Sequence, residues 1–217
     1  MKPSSVLSRW ATRTFHVLLL VATCELTGCL SRPSLNKQTF TFSAPPLSTT
    51  NVTISDRVLG IRNLQIARPF DGRSLVYRTG EFSYERDPYA EFLDPPAEGL
   101  IAPVCGWLRR NGDFSAVVEA GSALKPDTQV EISVSQLFGD FRQTKHPAAI
   151  LTIRFIFFDA PSGVPGKVIL QQEYSRSIPL SAPTAAALME GWNQALTVIL
   201  AEVSSDFRRS ETRTQVR

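Results

Sequence analysis

Ile150-Leu151-Thr152-Ile153-Arg154-Phe155-Ile156-Phe157-Phe158 is the stretch that decides the fold. Alternate residues of a strand share a face. Leu151, Ile153, Phe155 and Phe157 therefore make one apolar face, while Ile156 and Phe158 lie on the other. A strand apolar on both sides belongs in the middle of a sheet, covered at least in part on each face. Outward toward the C-terminus, Pro161-Ser162-Gly163-Val164-Pro165-Gly166 reads as a long turn into a returning strand, Lys167 to Ser177. Outward toward the N-terminus, a break containing His146-Pro147 comes first. Before it, Val130, Ile132 and Val134 alternate with Glu131, Ser133 and Ser135, the period-two signature of a half-buried strand.

Beyond the hairpin the period changes. Leu188, Trp192, Ala195, Leu196, Ile199, Val203 and Phe207 fall three and four apart, the stripe of an amphipathic helix. Ser181 or Thr184 can cap its start, Arg208 and Arg209 suit its C-terminal dipole, and residues 211–217 form a polar tail. Earlier in the chain, Val58 to Ile66 reads as a strand ended by Arg68-Pro69, with a turn at Phe70-Asp71-Gly72-Arg73. Leu75 to Arg78 and Glu81 to Tyr84 read as short strands around Thr79-Gly80. Asp94 before Pro95 predicts a capped helix start. That helix would carry Leu100, Ile101, Val104 and Leu108 to a stop at Asn111-Gly112, kinked at Pro103. Strands in runs, hairpin-length connections and two helices predict a single α+β domain over residues 52–210, a mainly antiparallel sheet with two helices packed on it.

The first 28 residues stand apart. Lys2, Arg9 and Arg13 precede an apolar run from Phe15 to Ala22, and small residues lead into Leu26-Thr27-Gly28-Cys29. This is the layout of a secretory signal peptide, and its apolar run is shorter than the roughly 20 residues that span a bilayer. The L-T-G-C tetrad looks like a bacterial lipobox, despite the acidic Glu25 before it. In such lipoproteins Cys29 would carry diacylglycerol, the chain would be cut before it, and the new amino terminus would be acylated, as with palmitate. Acyl chains anchor at about 0.8 kcal/mol per buried methylene. An ordinary cleaved signal with a chance cysteine, or a buried N-terminal helix, is the alternative. Residues 29–51, rich in Ser, Thr and Pro, read as a tether, with a short edge strand possible at Gln38 to Phe42. Leu30, where an inner-membrane lipoprotein would carry aspartate, implies outer-membrane delivery in a Gram-negative cell.

The remaining 189 of 217 residues suffice for one domain with its own core. Lys2, Arg9 and Arg13 against Glu25 leave with the signal, so the mature chain keeps +1 of a formal +3. That balance gives no support for nucleic-acid binding, which needs a clustered basic face. Cys105 has no intramolecular disulfide partner once Cys24 is removed and Cys29 acylated, and its apolar neighbours mark it as a small core residue. The mature chain has one histidine, His146, with no nucleophile motif around it. It carries no metal-ligand spacing, no Walker A loop and no G-x-G-x-x-G. Glu85, Asp87, Glu91, Asp94 and Glu98 could pair for glycoside hydrolysis, but a solvated loop and helix cap explains them more simply. No catalytic residue, metal or cofactor is expected.

Leu59-Gly60-Ile61, then Leu75-Val76-Tyr77-Arg78, then Tyr89-Ala90-Glu91 and the terminal Leu188 to Phe207 helix together resemble the ABC-type transport auxiliary lipoproteins. That family has a strand followed by proline, a v-Y-R strand, a W-A-E stretch and a terminal helix with a regular apolar stripe. Tyr89 stands here where the family has tryptophan, and Phe92-Leu93-Asp94 looks inserted before Pro95-Pro96. The resemblance implies an outer-membrane lipoprotein that works with an MCE protein and an inner-membrane ABC transporter to move lipid across the periplasm. Tyr77, Arg78, Tyr84 and Tyr89 are then candidates for a partner-facing patch, against the simpler reading of cross-strand packing. A structural or assembly lipoprotein of the envelope and an envelope hydrolase are the other classes open. Direct phospholipid binding would need a sizeable apolar cavity.

Overall fold

The computed structural model describes residues 37–43, 55–111, 113–119, 121–159 and 166–215. The signal peptide, the lipobox and Cys29 lie outside them. In chain order the elements are β1 (Gln38–Phe40), β2 (Val58–Ile66), a 3-10 turn (Arg68–Phe70), β3 (Ser74–Arg78), β4 (Tyr84–Phe92), α1 (Pro96–Arg110), β5 (Ala116–Glu119), β6 (Thr128–Asp140), β7 (Ala148–Asp159), β8 (Val168–Pro179) and α2 (Ala185–Gln215). They form an α+β fold, one eight-stranded sheet with two helices.

The apolar stretch at 150–158 is the interior strand β7, paired antiparallel along its length to β6 on one side and β8 on the other. These long antiparallel ladders dominate the sheet. The sequence did not reveal that β2 and β3 both run parallel to β6, along its other edge, β2 beside Thr128–Val134 and β3 beside Gly139–Asp140. Between them the register of β6 shifts at Val134/Gln136. Such a bulge turns the following side chains over, so Val134 and Leu137 both enter the core under α2 while Phe138 is buried on the opposite face of the sheet. β5 extends the sheet beyond β2, and β4 with β1 extends it beyond β3.

Helix α2 covers the Leu151, Ile153, Phe155 and Phe157 face. Its stripe from Leu188 through Trp192, Leu196, Ile199 and Val203 to Phe207 is at most 1% exposed. Thr184, not Ser181, supplies the cap, its Oγ1 accepting from Ala187 N at 3.2 Å. The predicted polar tail is helical as far as Gln215, and Glu211 is held by Arg57. Among the described residues, the second face of β7 is covered most at one end. There the 3-10 turn lays Phe70 on Phe138, ring centroids 5.7 Å apart, next to Ile150. Farther along, Ile156 and Phe158 are half-buried, with the Arg62 guanidinium 5.7 Å from the Phe158 ring.

Three expectations need correction. Helix α1 begins at Pro96 after Pro95, without a side-chain cap from Asp94, and continues through Pro103 as one helix. Strand β4 does not cover Glu81–Ser83, which form the turn, and instead runs from Tyr84 to Phe92. The acidic stretch therefore lies largely on a strand. Finally, the folded body reaches back to Gln38. β1 pairs parallel with Ala90–Phe92, Phe42 stacks on Phe92 at 5.3 Å, and Ser43 N donates to Asn193 Oδ1 at 3.0 Å.

Where α1 ends against α2, one carboxylate is enclosed. The Asp113 side chain is 1% exposed, with Arg208 Nε 2.8 Å from its Oδ1. Asn111 donates to its Oδ2 at 3.2 Å, and nearby Trp107 Nε1 donates to Ser204 Oγ at 3.3 Å. Burial pushes the Asp113 carboxyl above the usual carboxylate range, against the lowering effects of Ser204 and Arg208. A raised native pKa means the fold binds this proton more tightly than the unfolded chain does. Its contribution to stability is complete below the ordinary value of about 3.9 and is lost as pH rises through the native one. Relative to Asp113→Asn, the wild type is expected to lose stability as pH climbs from about 4 toward neutrality. Urea midpoints of both proteins across that range check this, and parallel profiles would refute it.

Candidate functional site

The site builds on the β3–β4 hairpin. Antiparallel register sets Arg78 opposite Tyr84 and Tyr77 opposite Glu85. Because neighbouring strand residues point to opposite faces, Tyr77 and Arg78 part company. Tyr77 lies on the α2 side, where its ring stacks on Phe141 at 4.7 Å and its hydroxyl donates to Asp87. Burial and then the Asp87 hydrogen bond push that hydroxyl well above the usual tyrosine range. The close approach depends on Gly139, whose missing Cβ would meet Phe141, Leu188 and Tyr77 at 3.0–3.1 Å.

Arg78 and Tyr84 share the opposite face, with the guanidinium 5.8 Å from the ring centroid. Tyr84 also sets its ring edge-on to Phe138 at 5.6 Å and to Phe70 at 6.1 Å, yet remains 47% exposed. Arg78 ties down the turn it enters, donating from Nη2 to the Glu81 carbonyl at 2.7 Å and from Nε to the Gly80 carbonyl at 3.3 Å. Tyr89 comes after an irregularity at Asp87-Pro88, where Asp87 Oδ1 accepts from the Tyr89 and Ala90 amides at 2.7 and 2.9 Å. Of the four candidates, then, only Arg78 and Tyr84 form one surface. Tyr77 is a packing residue, and Tyr89 stands apart.

The residue that sequence reasoning missed is Phe82, 88% exposed at the tip of this hairpin. Its signal was hidden because Glu81 to Tyr84 read as a strand, in which an aromatic residue is expected to pack.

The acidic stretch is not assembled as a pair. Glu91 is bridged by Lys37 at 2.8 Å and Arg73 at 3.1 Å, and its carboxyl is held below the usual range first by the Lys37 hydrogen bond. Asp87 is taken up by Tyr77 and the two amides. His146 closes the tight turn after β6, its amide donating to the Gln143 carbonyl at 2.9 Å. It lines a polar recess of about 370 Å³ with Asp140 and Arg142, which are ion-paired at 2.6 Å. Cys105 is half-buried, and burial pushes its thiol up to about 11, away from the reactive thiolate. At the other end of the sheet Gly60, Val118, Leu124 and Pro126 line an open groove of about 190 Å³. This is below the roughly 300–1,000 Å³ of small-molecule pockets. Among the described residues there is no metal-binding cluster, and no helix is long and apolar enough to cross a membrane.

A mixed sheet backed by a long terminal helix, with an aromatic hairpin at one end, defines the structural class. The chain belongs to the family of ABC-type transport auxiliary lipoprotein components, whose family model matches residues 40–204. No curated protein matches it. Among solved structures it is similar to protein XCC0632 from Xanthomonas campestris, described with the family model DUF330. The TM-score is 0.69 at 17% identity, covering 82% of this chain and 99% of that one. A second similar structure, described as an uncharacterized protein, gives a TM-score of 0.59 at 13% identity over 78% and 99% of the two chains. At these identities the two likenesses speak for the fold.

Proposed function

We propose that this chain is a non-catalytic component of an MCE-type lipid transport system, anchored through Cys29 in the outer membrane and facing the periplasm. The observation that carries the reading is the family match over residues 40–204, joined to the Leu26-Thr27-Gly28-Cys29 lipobox. Its partners are an MCE protein and, through it, the inner-membrane ABC transporter. The role we read for it is docking, through the exposed aromatic hairpin end of the sheet. The Arg78–Tyr84 face, with Tyr89 beyond it, is the surface a protein partner would use. Aromatic residues and arginine are the side chains that most often dominate such contacts.

Membrane fractionation of wild type beside Cys29→Ser, with crosslinking and mass spectrometry of the bound proteins, tests the reading. The wild type is expected in the outer membrane with an MCE protein crosslinked to it, and Cys29→Ser is expected to leave the membrane fraction. A Cys29→Ser protein that fractionates like wild type sinks the anchor. Anchoring together with an outer-membrane insertion machine, and no MCE protein, turns the assignment to an assembly lipoprotein.

A further inference from the structure

The β1 pairing sets the direction from which the chain enters the folded body. β1 runs parallel to β4, with Gln38 opposite Ala90 and Phe40 opposite Phe92. Followed backward from Gln38, the chain direction at Lys37 therefore points along β4 toward Tyr84 and the hairpin tip. Cys29 is eight residues before Lys37, and eight residues span at most about 28 Å in any conformation. Because β4 bulges between Arg86 and Glu91, the Ser74–Glu91 pair and the Arg78–Tyr84 pair are only four residues of β3 apart, about 13 Å. The tip lies well within that reach. A chain held in a bilayer by Cys29 thus has ample reach to bring the hairpin tip, the nearer end of the sheet, onto that bilayer.

What stands at that end is Phe82, 88% exposed, on a turn held by the two Arg78 hydrogen bonds and by Thr79 N donating to the Ser83 carbonyl at 3.0 Å. Tyr84 and Tyr89, 47% and 60% exposed, follow on the same strand. Water offers no return for an exposed phenyl ring, whereas aromatic rings favour the boundary between headgroups and acyl chains. Charge does not favour any partner: Glu81 and Glu85 offset Arg78 and Arg142 around the tip.

We propose that the β3–β4 hairpin is an interfacial foot: Phe82 enters the headgroup–acyl boundary of the same phospholipid surface that holds Cys29. The foot rests on the Cys29 anchor of the proposed function and adds to it an orientation. The sheet stands with its hairpin end on the membrane, and the Leu124 end, about 40 Å away along the thirteen residues of β6, reaches into the periplasm.

The mature, lipidated full chain carrying Phe82→Trp is reconstituted in vesicles of phosphatidylethanolamine and phosphatidylglycerol, with and without bromine high on the acyl chains. Leu124→Trp, replacing a residue 55% exposed at the far end, is the control. The native Trp107 and Trp192 are 7% and 0% exposed and supply a constant background. Both replaced side chains are exposed, so the fold tolerates the exchange, and circular dichroism verifies it. In the fraction that floats with vesicles, Phe82→Trp emission is expected to shift to the blue and be quenched by bromolipid, while Leu124→Trp emission is not. Flotation without quenching at position 82 overturns the foot and leaves the anchor standing, as does equal quenching at both positions. A full chain that does not float overturns the anchor and the foot together.

Discussion

Trp192→Ala is expected to remove about 4 kcal/mol of folding stability, within the range of 3–5 for a buried aromatic truncated to alanine. Trp192 is 0% exposed at the middle of the α2 stripe. Its ring stacks on Phe92 at 5.7 Å, and Phe92 in turn stacks on Phe42 at 5.3 Å. The indole thus joins three separate parts of the chain: the terminal helix, the end of β4 and the segment after β1. Its Nε1 donates to the Ile150 carbonyl on β7 at 3.1 Å. Alanine leaves a cavity and also an acceptor without its donor. Trp192→Phe separates the two terms: it keeps most of the ring contact and is expected to cost about 1–2 kcal/mol, a hydrogen bond plus a small volume change. Urea unfolding of the two variants measures the difference. Equal losses would mean that packing at this site contributes little. Since a whole domain is stable by only about 5–15 kcal/mol, the alanine variant is also expected to free the residues around Phe42, detectable as faster proteolysis there.

The elements that were legible in the sequence are those whose pattern has one dominant period. The α2 stripe and the β6–β8 ladder depend on repeating apolar spacing, and burial follows the same spacing in the structure. β4 was hidden because Asp87-Pro88 interrupts it with a charge and a residue that cannot donate to a ladder. The structure accommodates both by letting Asp87 accept the next two amides itself. The placement of Phe138 on the other face of the sheet was hidden because the bulge at Val134/Gln136 breaks the alternation that strand reading relies on. Parallel pairing of β2 and β3 along one edge of β6 is a long-range choice that no local pattern encodes. At the candidate site the sequence held more than was taken from it. Tyr77 and Arg78 are adjacent in a strand, so period two alone separates them onto opposite faces. Phe82 has no periodic partner, and only the structure places it at a tip.

The second large effect concerns a glycine on α2. In isolation, Gly191→Ala should help a helix by about 1 kcal/mol, the difference in intrinsic propensity. The structure reverses the sign. A Cβ on Gly191 would stand 2.7 Å from Ala149 Cβ and 2.6 Å from Leu180 Cδ2. Leu180 ends in a flexible side chain and can move. Ala149 Cβ cannot, because it is fixed to β7 where that strand is paired on both sides. The helix must therefore lift from the sheet next to Trp192 and Leu188, both fully buried. Overpacking of this kind costs about 1–3 kcal/mol, so Gly191→Ala is expected to lose about 1 kcal/mol net and Gly191→Leu about 3 kcal/mol. Ala149→Gly removes the rigid partner of the clash. Combined with Gly191→Ala it is expected to restore about 1 kcal/mol relative to the sum of the two single losses, a coupling typical of residues in contact. A double-mutant cycle by urea unfolding reads that coupling directly. Strict additivity would mean that the helix and strand do not meet at these two positions, and that the seating of α2 on β7 is looser than the 0% exposure of Trp192 and Leu188 requires.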